Sequence, residues 1–175
     1  MHATAIYPGT QAVGVSHDDF AGYYGANRDR VVRALSATIG DTDLAADAVD
    51  EAMARAYQRW SKVAGLDNPN GWVYRVALNW STSVLRRRRR RSSPLEPPAG
   101  SFEHPAMAEP AVAAALAELD VRQRAVVVCR YLLGWSEAET AEALNTPVGT
   151  VKSRLHRANR ILSARLSHLR SEEQQ

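Results

Sequence analysis

The sequence predicts an all-α protein: two small helical domains joined by a flexible Pro-rich linker. Three observations carry that expectation. Nearly every periodic stretch repeats its apolar residues at three- and four-residue spacing, which is the period of a helix. The one β-like run, Ala125–Cys129, sits inside a longer helical pattern. Composition breaks once, between Ser92 and Pro110, a stretch that holds five of the eight prolines and has no helical period. At 175 residues the chain has room for one medium domain or two small ones.

Taken in order, residues 1–17 read as a loose tail. Asp18 and Asp19 can cap a first helix from about Phe20 to Thr38, with Phe20, Tyr23 or Tyr24, Val31, Ala34 and Leu35 on its apolar side. Gly40-Asp41-Thr42-Asp43 breaks that helix and caps the next, Leu44 to about Trp60, in which Leu44, Ala48, Ala52 and Ala56 recur every fourth residue beside Val49 and Met53. The turn cluster Gly65 to Gly71 precedes a third helix with a Trp72/Val76/Trp80/Val84 stripe that runs into Arg86–Arg91. These elements make a first domain over residues 18–91, with a linker over 92–110. A second domain over 111–171 carries Val112, Leu116 and Leu119, then Val121 to Leu133, then two further helices.

Composition excludes several classes. One cysteine forms no internal disulfide, and Cys129, beside Val126–Val128, reads as a small buried hydrophobe. No apolar run approaches the roughly 20 residues that span a bilayer, and the N-terminus lacks the basic start and apolar stretch of a secretory signal, so a soluble, cytoplasmic protein with no membrane contact is expected. The five histidines are scattered without metal-ligand spacing, and there is no phosphate-binding glycine loop or nucleophile elbow. No catalytic set, metal or cofactor is expected, and an enzyme is not.

The last two helices carry the clearest chemistry. Ser136-Glu137-Ala138-Glu139 is a capping box that opens a short Ala-rich helix ending near Asn145. Thr146 can cap the following helix and Pro147 suits its first turn. Two helices so closely joined, with small residues where they cross, describe a helix-turn-helix. The second helix sets an apolar stripe (Val148, Val151, Leu155, Ala158, Leu162, Leu166, Leu169) against a face of Thr150, Ser153, His156, Arg157 and Arg160, with Lys152 and Arg154 at the flanks. No acid occurs from Pro147 to Arg170. A recognition helix needs an apolar back to seat it and small or cationic residues for bases and phosphates. A solvated basic face on a bundle helix is the plainer alternative.

Here the residues carry a resemblance. Ala125-Val126-Val127, Gly134 to Ala141 and the string Gly149-Thr150-Val151-Lys152-Ser153-Arg154-Leu155-His156-Arg157-Ala158 resemble region 4 of the extracytoplasmic-function (ECF) bacterial sigma factors. The resemblance implies that Thr150, Lys152, Ser153, Arg154, Arg157 and Arg160 read the −35 promoter element. In the first domain, Asp43 to Glu51 with Arg55-Ala56 and Arg59-Trp60 is similar to sigma region 2.2, which binds the clamp helices of the polymerase β′ subunit. The family usually places Gln at Asp50 and a larger side chain at Met53. The implied docking residues are Asp43, Asp47, Asp50 and Glu51; acids early and bases late also suit the helix dipole, so plain stabilisation stands beside docking.

Pro69, Gly71 to Asn79 and the arginine run resemble regions 2.3 and 2.4, which hold melted −10 DNA. The implied contacts are Asn68 and Asn70 in the turn, Tyr74, Arg75 and Asn79 opposite the tryptophan stripe, and Arg86 and Arg87. Cations grip the backbone and stacked bases contribute roughly 1–3 kcal/mol each, so binding alone can favour the melted state. The resemblance spans about Asp18 to Leu169 and implies core RNA polymerase (β′ clamp helices and β flap) and promoter DNA as partners, with an anti-sigma factor as a further candidate. A free-standing helix-turn-helix regulator and an adaptor with an acidic docking helix are the competing readings. Charge mapping agrees with a bridging role: Arg86–Arg91 and Pro147–Arg170 hold twelve of the 22 basic residues and no acids, leaving ten basic residues against all 19 acids elsewhere.

Overall fold

The computed structural model describes residues 17–91 and 110–172; the remainder of the expected tail and of the expected linker lies outside them. The first half contains α1 (His17–Ile39), α2 (Thr42–Gln58), a single turn α3 (Trp60–Val63) and α4 (Pro69–Arg91). The second contains α5 (Pro110–Ala117), α6 (Val121–Val127) continued by a π-helical turn (Val128–Leu132), α7 (Glu137–Ala143) and α8 (Val148–Glu172). Among the described residues there is no β-strand.

Local signals explain most boundaries. Gly40, at φ 76°, ends α1 in a left-handed conformation that costs glycine nothing, and Asp41 Oδ1 then accepts the Leu44 N–H at 2.8 Å to start α2. Asn68 does the same for α4, accepting the Gly71 N–H at 2.8 Å, with Pro69 in the first turn where its missing N–H is harmless. α6 opens on a capping box formed by Asp120 and Gln123, a D-x-x-Q pattern that the sequence reading passed over. α1 begins at His17 and α5 at Pro110, each slightly outside the expected domain limits.

The π turn marks where the two halves meet. Its i→i+5 bond runs from the Leu133 N–H to the Val128 carbonyl at 3.0 Å, and Gly134, at φ 73°, then reverses the chain. Val126 and Val127 point into the second half's own packing, while Val128, Cys129, Leu133 and Trp135 join Val31, Leu35, Val49, Met53, Val73 and Tyr74 in one continuous core. The β-branched run inside the helix is therefore buried on more than one side. Two separate bodies would each keep their own core; here α1 packs against α6 and the π turn, and α4 packs against α7. Burial of Val128 and Leu133, each at 3% exposure, contributes roughly 1.5–3 kcal/mol apiece.

That second neighbour changes the buried face of α4. Gly71, Val73, Tyr74, Ala77 and Ser81 are buried, whereas Trp72, Val76, Trp80 and Val84 are only half-buried against the core. The Trp72/Val76/Trp80/Val84 stripe is therefore not the most deeply buried face of α4. α4 has supporting layers on two sides.

Candidate nucleic-acid and polymerase interface

The expected helix-turn-helix forms with the expected cap. Ser136 Oγ accepts the Glu139 N–H at 3.1 Å and Glu139 Oε2 accepts the Ser136 N–H at 2.7 Å, a reciprocal pair that holds the Glu139 carboxyl below the usual carboxylate range. The turn uses different chemistry from that expected. Asn145 takes the left-handed conformation (φ 47°), and the Thr146 hydroxyl donates to the Leu144 carbonyl at 3.1 Å instead of capping α8. Val151 and Ala158 are fully buried, and Leu155, Leu162 and Leu166 are half-buried. Val148 is 41% exposed, so the apolar seat of α8 starts one turn later than its sequence stripe.

On the other face of α8, Lys152, Ser153, Arg157 and Arg160 are exposed, Thr150 is half-buried and its carbonyl accepts from Ser153 Oγ at 3.0 Å. Lys152 Nζ lies 3.6 Å from Glu137 Oε2 on α7. Arg154 is half-buried and turns toward α4, away from that exposed group.

The −10 candidates divide. Asn70 is held from both sides, accepting from the Tyr23 hydroxyl at 2.8 Å and donating to Asn27 Oδ1 at 2.7 Å, while burial pushes the Tyr23 hydroxyl pKa up. With Asn68 capping α4, this loop is rigid before any ligand arrives. Asn79, Arg86 and Arg87 are exposed on α4; Arg75 is half-buried and donates through Nη1 to the Glu142 carbonyl at 3.2 Å. Tyr74 is the correction. It is fully buried, its hydroxyl 2.6 Å from Thr38 Oγ1 and its ring edge-on to Trp135 at 5.9 Å, so it touches no solvent in this arrangement. Its position off the tryptophan stripe means a second packed layer, not a wet face.

On α2, Asp43, Asp47 and Asp50 are exposed at positions that share one helical face, with Glu51 alongside. Asp50 is engaged: Arg28 grips it in a fork at 2.6 and 2.7 Å, and that guanidinium holds its carboxyl below the ordinary value. Glu51 pairs with Arg55 at 2.8 Å. Asp43 and Asp47 have no ion-pair partner among the described residues, which leaves them as the available charges.

Comparison with known proteins decides the family. Residues 23–91 match the model "Sigma-70 region 2" and residues 110–162 match "Sigma-70, region 4". The chain is 33% identical over 144 residues to the RNA polymerase sigma-E factor of Streptomyces coelicolor, covering 80% of this chain and 81% of that protein. This chain belongs to the ECF sigma factors of the sigma-70 family. It is also 35% identical over 143 residues to the ECF RNA polymerase sigma factor SigM of Mycobacterium tuberculosis, covering 80% of this chain and 71% of that protein. In fold, the sigma factor resembles RpoE from Bartonella quintana, solved with the anti-sigma factor NepR, with a TM-score of 0.70 and 21% identity over 86% of this chain and 98% of that one.

Several features of this sigma factor were not read from its sequence. Arg86, Arg122 and Arg154, from α4, α6 and α8, line one cleft of about 610 Å³ together with Asn79 and Thr82. Arg30 on α1 donates to the Leu133 carbonyl at 2.6 Å across 103 residues of chain. No local pattern signals either, because both depend on how the halves meet. Among the described residues, no helix is long and apolar enough to cross a membrane and no group of His, Cys, Asp or Glu is placed to hold a metal ion.

Proposed function

We propose that this sigma factor binds core RNA polymerase in the cytoplasm and directs promoter-specific initiation, with the residues 18–91 and 111–171 as its two working domains. The observation that carries the reading is one chain presenting three separated chemistries. An exposed cationic face stands on the recognition helix α8, which follows the capped α7. A preorganised Asn68/Asn70 loop heads a cation-bearing helix, and an acidic face with free charges lies on α2. The sigma factor itself catalyses nothing in this scheme; it positions DNA and polymerase.

Each chemistry supports a role. α7 crosses behind α8, and the exposed Lys152, Ser153, Arg157 and Arg160 supply base and phosphate contacts to a −35 duplex. Arg75, Asn79 and Arg86 recur at helical spacing along α4, a row suited to one sugar–phosphate backbone, with the Asn68/Asn70 loop at its head beside an unstacked base. Asp43 and Asp47 lead the docking to basic residues of the polymerase, with Asp50 and Glu51 already sharing their charge with arginines. A free-standing regulator is not favoured, because the similarity to RNA polymerase sigma factors runs along most of both chains.

The test is to reconstitute the chain with core polymerase and sequence the genomic DNA it retains. The reading expects two short sequence blocks at constant spacing, absent with core alone. Retention indistinguishable from core polymerase alone would overturn it.

A further inference from the structure

The arginine run at the end of α4 divides by direction. Arg88 turns toward α2 and pairs with Asp41 at 3.3 Å. Arg86, Arg89 and Arg90 line two adjoining cavities on the side of the second half. The larger, of about 610 Å³, is shared by Arg86 from α4, Arg122 from α6 and Arg154 from α8. The smaller, of about 360 Å³, meets it at Thr82, Arg86 and Val121 and adds Leu85, Arg89 and Arg90. No acid lines either cavity, and none of these five arginines has an ion-pair partner among the described residues. The acid next to them in the chain, Asp120, is spent on capping α6, where it accepts the Arg122 and Gln123 N–H groups. Arg122 belongs to neither set of expected DNA contacts, and Arg154 is half-buried away from the exposed face of α8.

We propose that the two cavities form one binding site for a nucleoside polyphosphate. Its phosphate chain lies among Arg86, Arg122 and Arg154, and its nucleoside lies over Leu85 and Val121. Cations gathered from three helices repel one another, and an anion set between them turns that repulsion into attraction. Guanidinium groups suit the task because they stay charged and hold phosphate oxygens through paired N–H donors. Converging on one cavity, three of them match several charges carried on one short chain. A DNA strand instead spaces single charges about 3.4 Å apart along its axis and calls for a row of cations. The adjoining cavity selects for more than phosphate. Leu85 and Val121 offer it an apolar surface, and the planar cations of Arg89 and Arg90 can stack on a base. Both volumes fall within the roughly 300–1,000 Å³ of ordinary small-molecule pockets. A ligand placed there touches α4, α6 and α8 at once, so it should raise the thermal stability of the free chain.

The site needs neither polymerase nor promoter, so its failure leaves the sigma-factor reading standing. ATP titrated calorimetrically into the full-length chain in magnesium-free buffer should bind once per chain. Arg122→Ala changes an exposed side chain and keeps the backbone N–H that Asp120 caps, and it should weaken ATP binding at least tenfold. Arg33→Ala, which removes an exposed cation from α1, should leave ATP binding within twofold. Tripolyphosphate should bind at least fivefold more weakly than ATP, because it leaves the Leu85 and Val121 surface uncovered. A labelled promoter duplex should bind the Arg122→Ala variant as it binds the unmutated chain. Absence of ATP binding overturns the proposal. An equal loss in Arg122→Ala and Arg33→Ala overturns it as well, because attraction to net charge alone would then explain the binding. Tripolyphosphate binding as tightly as ATP would remove the nucleoside from the site. A promoter duplex weakened by Arg122→Ala as much as ATP would make the cleft part of the DNA groove, and the nucleotide site would fall with it.

Discussion

Replacing Lys152 and Arg157 together by alanine should remove most −35 recognition and leave the fold alone. Both side chains stand in solvent on α8, so the change in stability should stay within about 0.5 kcal/mol. Arg157 has no ion-pair partner among the described residues, and a good bidentate base contact is worth about 1–3 kcal/mol. Lys152 already sits 3.6 Å from Glu137, an exposed pair worth under about 1 kcal/mol, so moving it onto a phosphate gains correspondingly less. Together the two should cost about 2–4 kcal/mol in affinity for a −35 duplex, or roughly 30- to 1,000-fold. The stronger signature is the salt dependence. Each lost phosphate contact should flatten the plot of log K against log salt by about 0.9, so losing the Lys152 contact should flatten it by about that amount while Arg157 lowers affinity through its base contact. Anisotropy titrations of holoenzyme into a labelled promoter fragment at several salt concentrations measure both quantities. A circular dichroism melt checks the fold. Glu137→Gln should move affinity the opposite way by freeing Lys152. An unchanged salt slope together with unchanged affinity in the double variant would show that Lys152 and Arg157 meet neither phosphate nor base and that α8 is not the groove helix.

Two further outcomes follow from the same geometry. Charge reversal at Asp47 and Glu51 (Asp47→Arg, Glu51→Arg) should weaken binding to core polymerase at least tenfold in a pull-down titration while leaving −35 duplex binding unchanged; unaltered polymerase affinity would remove the acidic docking face. Ser136→Ala should cost about 1 kcal/mol by removing the cap of α7. The Glu139 carboxyl lies below its ordinary value when folded, so its contribution is present above the unfolded value near 4.3 and is lost as pH falls through the folded one. The gap in denaturant midpoint between the variant and the unmutated chain should narrow on acidification, with the part due to the hydroxyl–N–H bond remaining, and a gap that does not narrow would argue against any contribution of the Glu139 carboxylate to the cap.

How far the sequence carried the fold depended on the range of each signal. The capping box at Ser136, the break at Gly40 and the stripe Val151, Leu155, Ala158 and Leu162 act within one to three turns, and all three are found in the structure. Tyr74 shows where local reasoning ends. An aromatic residue off the main stripe faces water only if nothing packs on that side, and what packs there is Trp135, 61 positions away. Asp50 shows the same for charge. Its position on the acidic face of α2 was legible, but its capture by Arg28, 22 residues upstream, required the crossing of α1 and α2. The turn before α8 failed for a different reason: Asn and Thr compete for the same job, and the left-handed Asn145 made a Thr146 cap unnecessary.

The measurement that bears most directly on the central claim is run-off transcription on a template library, with core polymerase in the presence and absence of this chain. The account predicts discrete transcripts only when both are present, lost on Lys152→Ala with Arg157→Ala and lost again on charge reversal at Asp47 and Glu51, by different routes. A chain that footprints duplex DNA alone yet starts no transcript with core polymerase would contradict it.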